Sequence, residues 1–187
     1  RMANPFAPEN TLSALRAAIL LGVDVAETDL RITADGELVL IHDAEVDRSL
    51  EGTGDVRDLT LAEIQAMNVR AEGGDPPGDF GCDRAPTLAE VMAVARGKIV
   101  VELETKNIEA GPVAAAYLRD EGLIDWAYVQ CDAAECAAVR AAVPDARIAF
   151  RLQSLDELPT IAALDPPPIL IEIDNSLTAD ATVLNIR

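Results

Sequence analysis

The sequence has few of the residues that form disulfide frameworks or thiolate metal sites, and it lacks a long apolar run. Its three cysteines, Cys82, Cys131 and Cys136, are odd in number and show neither a CxxC redox pair nor a zinc-site spacing. We expect Cys131 and Cys136 to be small buried residues, with reduced thiols in a cytoplasmic protein; a periplasmic or secreted location is the alternative. No apolar run reaches the roughly 18 residues of a membrane span, and no signal peptide is recognisable.

Positive charge is also scarce. Lys and Arg total 15 against 33 Asp and Glu, which gives a formal net charge of −18. Such a field repels nucleic acid and anionic membrane surfaces, so we expect neither as a partner. Most of the carboxylates are expected to be solvated surface groups. A phosphate substrate would need positive charge concentrated locally, by a metal ion or by a few Arg and Lys side chains.

Helical and strand patterns alternate along most of the chain. Strands are predicted at 25–32, 38–42, 98–104, 126–130, 147–152 and 169–173, and helices at 11–21, 111–121, 133–142, 155–164 and after the capping boxes that begin at Thr60 and Thr87. This alternation predicts a parallel sheet covered by helices, as a closed barrel or an open doubly wound sheet. We expect one domain over residues 1–187, which is short for a complete (β/α)₈ barrel of about 250 residues.

One connection predicts a β-hairpin at 25–42. Only about five residues separate its two strands, and a parallel crossover needs a dozen or more. Asp35-Gly36 favours a two-residue turn. A turn of that length pairs Asp29 with His42, so the single histidine of the chain is expected beside Glu27 and Asp29.

Acidic residues share a face on two of the predicted strands. Glu27 and Asp29 alternate on the first, and Glu102, Glu104 and Lys106 alternate at the end of another. Adjacent carboxylates repel each other unless a cation or a proton lies between them, and Mg²⁺ or Ca²⁺ prefers all-oxygen ligands. In barrels, polar groups at the carboxyl ends of strands form the active site. These residues by themselves indicate a metal-assisted hydrolase or lyase.

A series of short motifs resembles the glycerophosphodiester phosphodiesterase family in order and spacing. The motifs are Ala7-Pro-Glu-Asn-Thr11, Glu27-Thr-Asp29, Asp35-Gly36, His42-Asp43, Gly52-Thr-Gly54, Leu59-Thr60 and Glu104-Thr-Lys106, followed by a similar stretch at 128–144. The resemblance implies a TIM (β/α)₈-type barrel. We expect the barrel to be incomplete in this chain, because the family's first strand and its final strands have no counterpart here and residues 175–187 do not resemble a helix followed by a strand. A longer protein is therefore expected.

The resemblance also implies a reaction and a site. The reaction is hydrolysis of glycerophosphodiesters to an alcohol and glycerol 3-phosphate, in which a glycerol hydroxyl attacks phosphorus and water opens the cyclic phosphate. Matching by position, the divalent cation (Mg²⁺ or Ca²⁺) would be held by three carboxylates, those of Glu27, Asp29 and Glu104. His42 would be one of two acid–base histidines, the other lying directly before Arg1. Arg1 and Lys106 would bind the phosphate of a small-molecule substrate.

Several alternatives stay open. The scaffold could serve another phosphodiester, such as a lysophospholipid or a phosphoinositide, or a catalytically degenerate binding protein. A Schiff-base aldolase using Lys106 is disfavoured, because the neighbouring carboxylates would keep the amine charged. We interpret Glu9 and Asn10 as loop and cap residues, Tyr128 as a packing residue, and Glu102 as either an outer carboxylate of the site or a partner of Lys106. The oligomeric state is not predicted.

Overall fold

The structure is a computed structural model, and it describes residues 6–70, 80–173 and 177. The predicted phosphate ligand Arg1 lies outside the described residues. Residues 174–187, apart from Leu177, also lie outside the described residues. The expectation that residues 175–187 do not form a helix followed by a strand falls in this segment. None of the described helices is long and apolar enough to cross a membrane.

The predicted helices and strands are all present, with ends shifted by at most a few residues. The strands are β1 (Val25–Ile32), β2 (Leu38–Leu40), β3 (Val100–Thr105), β4 (Ala127–Cys131), β5 (Ile148–Leu152) and β6 (Leu170–Ile173). The helices are α1 (Leu12–Leu21), α2 (Leu61–Gln65), α3 (Leu88–Ala95), α4 (Ala110–Asp120), α5 (Ala133–Ala142) and α6 (Leu158–Ala162), with 3₁₀ turns at Val56–Asp58 and Leu155–Glu157. Both predicted capping boxes, at Thr60 and Thr87, are formed.

The six strands form one sheet in the order β2-β1-β3-β4-β5-β6. Strand β2 runs antiparallel to β1, and the other neighbouring pairs are parallel because helices connect them. One face packs its apolar side chains, including Leu30, Leu103, Val129 and Phe150, into the main core with the helices. The opposite face carries mostly polar side chains. A parallel α/β sheet with helices on one face has the architecture of a partial TIM barrel.

A second, smaller core supports the chain that follows β2. Val39, Ile41, Val46, Val56 and Ile64 are all almost fully buried in it. Backbone hydrogen bonds fix the same segment, for example from Val46 N to Gly54 O at 3.0 Å. The residues after β2, which include His42, are therefore held in place by this second core.

The hairpin is present, but its predicted register is wrong by one residue. Leu30 pairs with Leu40 and Ile32 with Leu38, and the Ile41 amide donates to the Asp29 carbonyl at 3.1 Å. Asp29 therefore lies opposite Ile41 rather than His42. The cause is the turn: Gly36 N bonds Thr33 O at 3.0 Å, and Gly36 adopts φ 84°, which is the three-residue loop ending in a left-handed glycine.

The cysteines also differ from the prediction. Cys131 and Cys136 are buried as expected, but they form a disulfide between the end of β4 and the first turn of α5. Cys82 is free and exposed. The spacing of the two cysteines did not indicate the disulfide, because a residue at a strand end and one in the next helical turn approach each other only when the strand and the helix pack.

Candidate metal centre and active site

The polar face of the sheet carries two rows of functional side chains. The parallel register aligns Glu27 with Glu102 and Asp29 with Glu104. Alternation along each strand sends these four side chains to one face while their neighbours enter the main core. Pairing of β3 with β4 extends the second row to Gln130. Acidic and amide groups are thereby concentrated on the face opposite the main core.

Three of these carboxylates meet. Oxygen atoms of Glu27, Asp29 and Glu104 all lie within 4.8 Å of one another. Asp29 is 1% exposed, the Glu104 side chain is 16% exposed, and Glu27 is partly buried. The sequence pattern predicts only that Glu27 and Asp29 lie on one face of a strand, and Glu104 is predicted as a third ligand from the family resemblance. The structure brings all three together because β1 and β3 are adjacent and in register.

Lys106 contacts two of the three carboxylates. Its Nζ is 2.9 Å from Asp29 Oδ1 and 2.6 Å from Glu104 Oε1, and its side chain is 16% exposed. It extends from the residue after β3, and Lys106 N bonds Leu30 O at 3.0 Å, so the backbone fixes its position. One ammonium group therefore bridges two carboxylates from neighbouring strands.

The carboxylates of the cluster differ in their affinity for protons. Burial, together with the negative charges of Asp29 and Glu104, raises the pKa of Glu27. Burial would also raise the pKa of Glu104, but hydrogen bonds from Arg151 and Lys106 outweigh it and lower that pKa. The cations thus favour the ionised form of Glu104, whereas burial and negative neighbours disfavour the ionised form of Glu27.

The residues present fit a divalent cation. Asp29 Oδ1 is buried and accepts no hydrogen bond among the described residues; Lys106 Nζ is close to it but outside hydrogen-bond geometry. A buried carboxylate oxygen without a hydrogen bond is costly, and a cation would satisfy it. An all-oxygen donor set suits Mg²⁺ or Ca²⁺. The acidic triad could therefore hold a hard divalent ion.

Asn10 has a role that the sequence analysis missed. Its Nδ2 donates to Asp29 Oδ2 at 2.8 Å, and its Oδ1 accepts from the Thr28 hydroxyl at 2.7 Å and from the Asp29 amide at 3.1 Å. The N-cap of α1 is Thr11, the second of the two candidates that the sequence offers, and its Oγ1 accepts from Ala14 N at 3.1 Å. Asn10 adopts φ 55°, a left-handed conformation that asparagine tolerates better than most residues. The unusual backbone aims its amide at the carboxylate.

His42 follows directly after the residue that pairs with Asp29. Its carbonyl accepts from Arg31 Nη2 at 2.7 Å and from Arg31 Nε at 3.1 Å. Its ring Nδ1 is 2.6 Å from Asp43 Oδ1. His42 and Asn10 both line a small cavity of about 10 Å³. The histidine is thus held next to the residue that orients Asp29, although by a different register from the one predicted.

A larger polar cavity of about 210 Å³ lies beside Glu104 and Lys106. Arg151, which the sequence analysis missed, also lines it: Arg151 Nη1 is 2.9 Å from Glu104 Oε1, and Nη2 donates to Gln130 Oε1 at 2.8 Å. Alternation along β5 could have indicated Arg151, because it is the single charged residue of an otherwise apolar strand. The cavity combines two cations with several acceptors.

Glu102 does not pair with Lys106. It accepts from the Tyr128 hydroxyl at 2.9 Å, and its burial raises its pKa. Tyr128 is buried, as predicted for a packing residue, but its hydroxyl belongs to the polar face. The two residues lie in the same row as Glu27 and border the acidic triad.

Comparison with known proteins identifies the family. The Glycerophosphoryl diester phosphodiesterase family matches residues 1–179. A glycerophosphodiester phosphodiesterase of Caldanaerobacter subterraneus subsp. tengcongensis is 42% identical over 101 residues, which is 54% of this chain and 40% of that protein. Glycerophosphodiester phosphodiesterase 1 of Bos taurus is 46% identical over 87 residues, 46% of this chain and 26% of that protein. The chain thus spans less than half the length of these curated relatives.

Solved structures agree with the sequence comparison. A glycerophosphodiester phosphodiesterase of Agrobacterium tumefaciens matches with a TM-score of 0.75 and 29% identity, over 92% of this chain and 73% of the other. An Oleispira antarctica phosphodiesterase, solved with the product sn-glycerol-3-phosphate, shares the fold with a TM-score of 0.79 at 21% identity, over 96% and 77% of the two chains. The described residues are therefore a partial TIM barrel, and the chain belongs to the glycerophosphoryl diester phosphodiesterase family.

Proposed function

We propose that the protein carrying this chain hydrolyses glycerophosphodiesters to an alcohol and sn-glycerol 3-phosphate, with a divalent cation bound by Glu27, Asp29 and Glu104. The observation that carries the proposal is the convergence of these three carboxylates within 4.8 Å, with the Lys106 ammonium against two of them. Carboxylates that repel one another bind a hard cation well, and a nearby ammonium suits an anionic phosphate.

Membership of the family supports the reaction class. The matched relatives are named for glycerophosphodiester hydrolysis, and the Oleispira antarctica structure holds sn-glycerol-3-phosphate as its product. Because this chain covers only part of each relative, the activity of the whole protein is our proposal. The alcohol released and the identity of the metal, Mg²⁺ or Ca²⁺, belong to the same proposal.

The cation, when bound, would supply positive charge that offsets the charge developing on the phosphate and favours ionisation of a glycerol hydroxyl. Lys106, and Arg151 across the polar cavity, would bind phosphate oxygens, as would Arg1 if it reaches the site. Within the part of the chain that the structure describes, Asp29 Oδ1 accepts no hydrogen bond, which supports the assignment of Asp29 as a metal ligand.

Proton transfer would fall to His42. Attack of the neighbouring glycerol hydroxyl on phosphorus releases one proton, and the departing alcohol takes one up; opening of the cyclic phosphate by water repeats the exchange in reverse. One group must therefore accept while another donates in each step. We assign one role to His42 and the other to the histidine that the family resemblance implies directly before Arg1.

The proposal is tested by measuring release of glycerol 3-phosphate from glycerophosphocholine. Activity is expected with Mg²⁺ or Ca²⁺ and is expected to disappear with a chelator. Asp29→Asn should lower kcat/KM by at least about 100-fold, because it removes a ligand charge from a buried site. The matched control is Asp120→Asn, an exposed carboxylate on α4 that should leave the rate unchanged.

A second variant separates the family assignment from the site assignment. His42→Ala should reduce kcat by roughly 100-fold or more while metal affinity is kept, since the ring is a proton carrier in this scheme. Wild-type rates in both Asp29→Asn and His42→Ala would mean that the site is wrong although the family is right. No release by the unmodified protein, across several glycerophosphodiesters and both metals, would refute the function.

A further inference from the structure

Two consecutive residues before α1 send their side chains to different parts of the site. Asn10 bonds the Asp29 carboxylate, as described above, and is 8% exposed. Glu9, whose side chain is 10% exposed, instead bonds Arg48: Glu9 Oε1 lies 2.5 Å from Arg48 Nη2. Asn10 adopts a left-handed backbone conformation at this point. A single turn of chain therefore touches the proposed metal site and the segment that carries His42.

Two side chains, those of Arg48 and Asp43, connect Glu9 to His42. Arg48 Nε bonds Asp43 Oδ2, and the other oxygen of the same carboxylate, Oδ1, lies 2.6 Å from His42 Nδ1. Asp43 is thereby held between the guanidinium and the imidazole. Burial opposes ionisation of Asp43, but the hydrogen bonds from Arg48 and His42 outweigh it and lower its pKa.

The contacts are specific to one ring nitrogen. An ionised carboxylate only accepts, so at neutral ring charge the hydrogen bond requires the proton of His42 to be on Nδ1. That tautomer leaves Nε2 as the nitrogen that exchanges protons. Arg31 donates to the backbone carbonyl of His42 rather than to its ring.

We propose that Glu9, Arg48 and Asp43 form a chain of positioning residues that fixes the orientation and tautomer of His42, while the adjacent Asn10 separately positions Asp29 for the metal. The loop at Glu9 and Asn10 would then set the distance between the acid–base group and the metal site. This inference rests on the proposed function for the role of His42, whereas the tautomer and the metal affinity can be measured without turnover.

The first measurement is the tautomer of His42 in the unmodified protein. His42 is the only histidine in residues 1–187, and comparison with His42→Ala assigns its signals in long-range ¹⁵N–¹H NMR. The Nδ1–H form should predominate at a pH where the ring is neutral. Asp43→Asn should shift the population toward Nε2–H. A predominantly Nε2–H ring in the unmodified protein would overturn the proposal whether or not the protein hydrolyses glycerophosphodiesters.

The proposal has two branches: Glu9, Arg48 and Asp43 position His42, and Asn10 positions Asp29. The second measurement compares these branches. Asp43→Asn and Arg48→Met should lower kcat at least about 10-fold with little change in KM, and should move the limb of the pH–rate profile that reports His42. Both should leave the affinity for Mn²⁺, measured by calorimetry, within about 2-fold. Arg48→Lys, which keeps the charge, should restore part of kcat. The controls are Asp120→Asn and Arg119→Met, an exposed ion pair on α4.

Asn10→Gly tests the other branch. Glycine keeps the left-handed backbone but removes the side-chain amide, and with it the hydrogen bonds to Asp29 and Thr28. We expect Mn²⁺ affinity to fall by 10- to 100-fold, as for groups that orient metal ligands, and the His42 tautomer to stay unchanged. If Asn10→Gly and Asp43→Asn changed metal affinity and tautomer alike, the two branches would not be separate and the proposal would fail. Absence of glycerol 3-phosphate release with these two results intact would refute only the function.

Discussion

Asp29 lies directly opposite Glu104 on the neighbouring parallel strand, and one ammonium, that of Lys106, contacts both carboxylates. The same two acids are the ones proposed to bind the metal. Without a cation bound to them, Lys106 provides the positive charge that lets two buried carboxylates face each other. This arrangement makes stability and metal binding depend on the same atoms, and it leads to measurable consequences.

Lys106→Met should destabilise the metal-free protein by about 3 kcal/mol, because it leaves two largely buried carboxylates without their counter-ion. Metal affinity should not fall and is expected to rise, since the ammonium competes with the cation for the same oxygens. Affinity for glycerol 3-phosphate should decrease. Chemical denaturation with and without Mg²⁺ measures the first two effects. Lys98→Met, at the only other lysine and on the surface, is the control.

Glu27→Gln should stabilise the metal-free protein at neutral pH. The pKa of Glu27 is raised, so the folded state binds this proton more tightly than the unfolded state does. The stabilising contribution of the proton on Glu27 is fully present at pH values below the ordinary carboxyl pKa, and it is lost as the pH rises through the raised pKa of Glu27. The advantage of the variant should therefore grow with pH over that window and then level off.

Thermal unfolding of Glu27→Gln at several pH values checks this expectation, with Glu37→Gln on the exposed hairpin loop as control. Added Mg²⁺ should stabilise the unmodified protein and leave Glu27→Gln nearly unaffected. A variant that is less stable than the unmodified protein at every pH would show that Glu27 is not under electrostatic strain.

Arg151→Met should make metal binding more sensitive to acid. Arg151 is one of the two cations that lower the pKa of Glu104, and without it that pKa should rise toward or above the ordinary carboxyl range. Because the metal binds the ionised form, its affinity should decline at a higher pH in the variant than in the unmodified protein. Calorimetric titrations at a series of pH values measure the shift. Arg147→Met, a partly exposed arginine just before β5, is the control.

The disulfide between Cys131 and Cys136 predicts a thiol count. Under native, non-reducing conditions one thiol, that of Cys82, should react with a thiol reagent, and three should react after reduction and unfolding. Replacing both bonded cysteines by serine should cost about 2 kcal/mol, since the closed loop is short. Three reactive thiols in unreduced, unfolded protein would instead support the prediction of reduced cysteines. A cytoplasmic location stays a prediction, and a disulfide weighs against it.

The order and type of the secondary-structure elements followed from local patterns. Alternating residues in β1 and β3, capping boxes at Thr60 and Thr87, and glycines after helices act over a few residues, so they can be recognised without knowing the fold. The same locality put Glu27 and Asp29 on one face of a strand. The hairpin also followed, because its linker is too short for a crossover, but its register did not: a two-residue and a three-residue turn both accommodate Asp35-Gly36, and the difference moved the partner of Asp29 from His42 to Ile41.

What only the tertiary structure decided involves residues far apart in sequence. Glu104 meets Asp29 because β1 and β3 are neighbours in register, Arg151 reaches Glu104 across β4, and Asn10 reaches Asp29 from the loop before α1. No spacing within a motif encodes these contacts; they arise when strands align and helices pack on one face. The sequence by itself thus determined which carboxylates alternate on a strand. The packing of the sheet determined which of them share a cation.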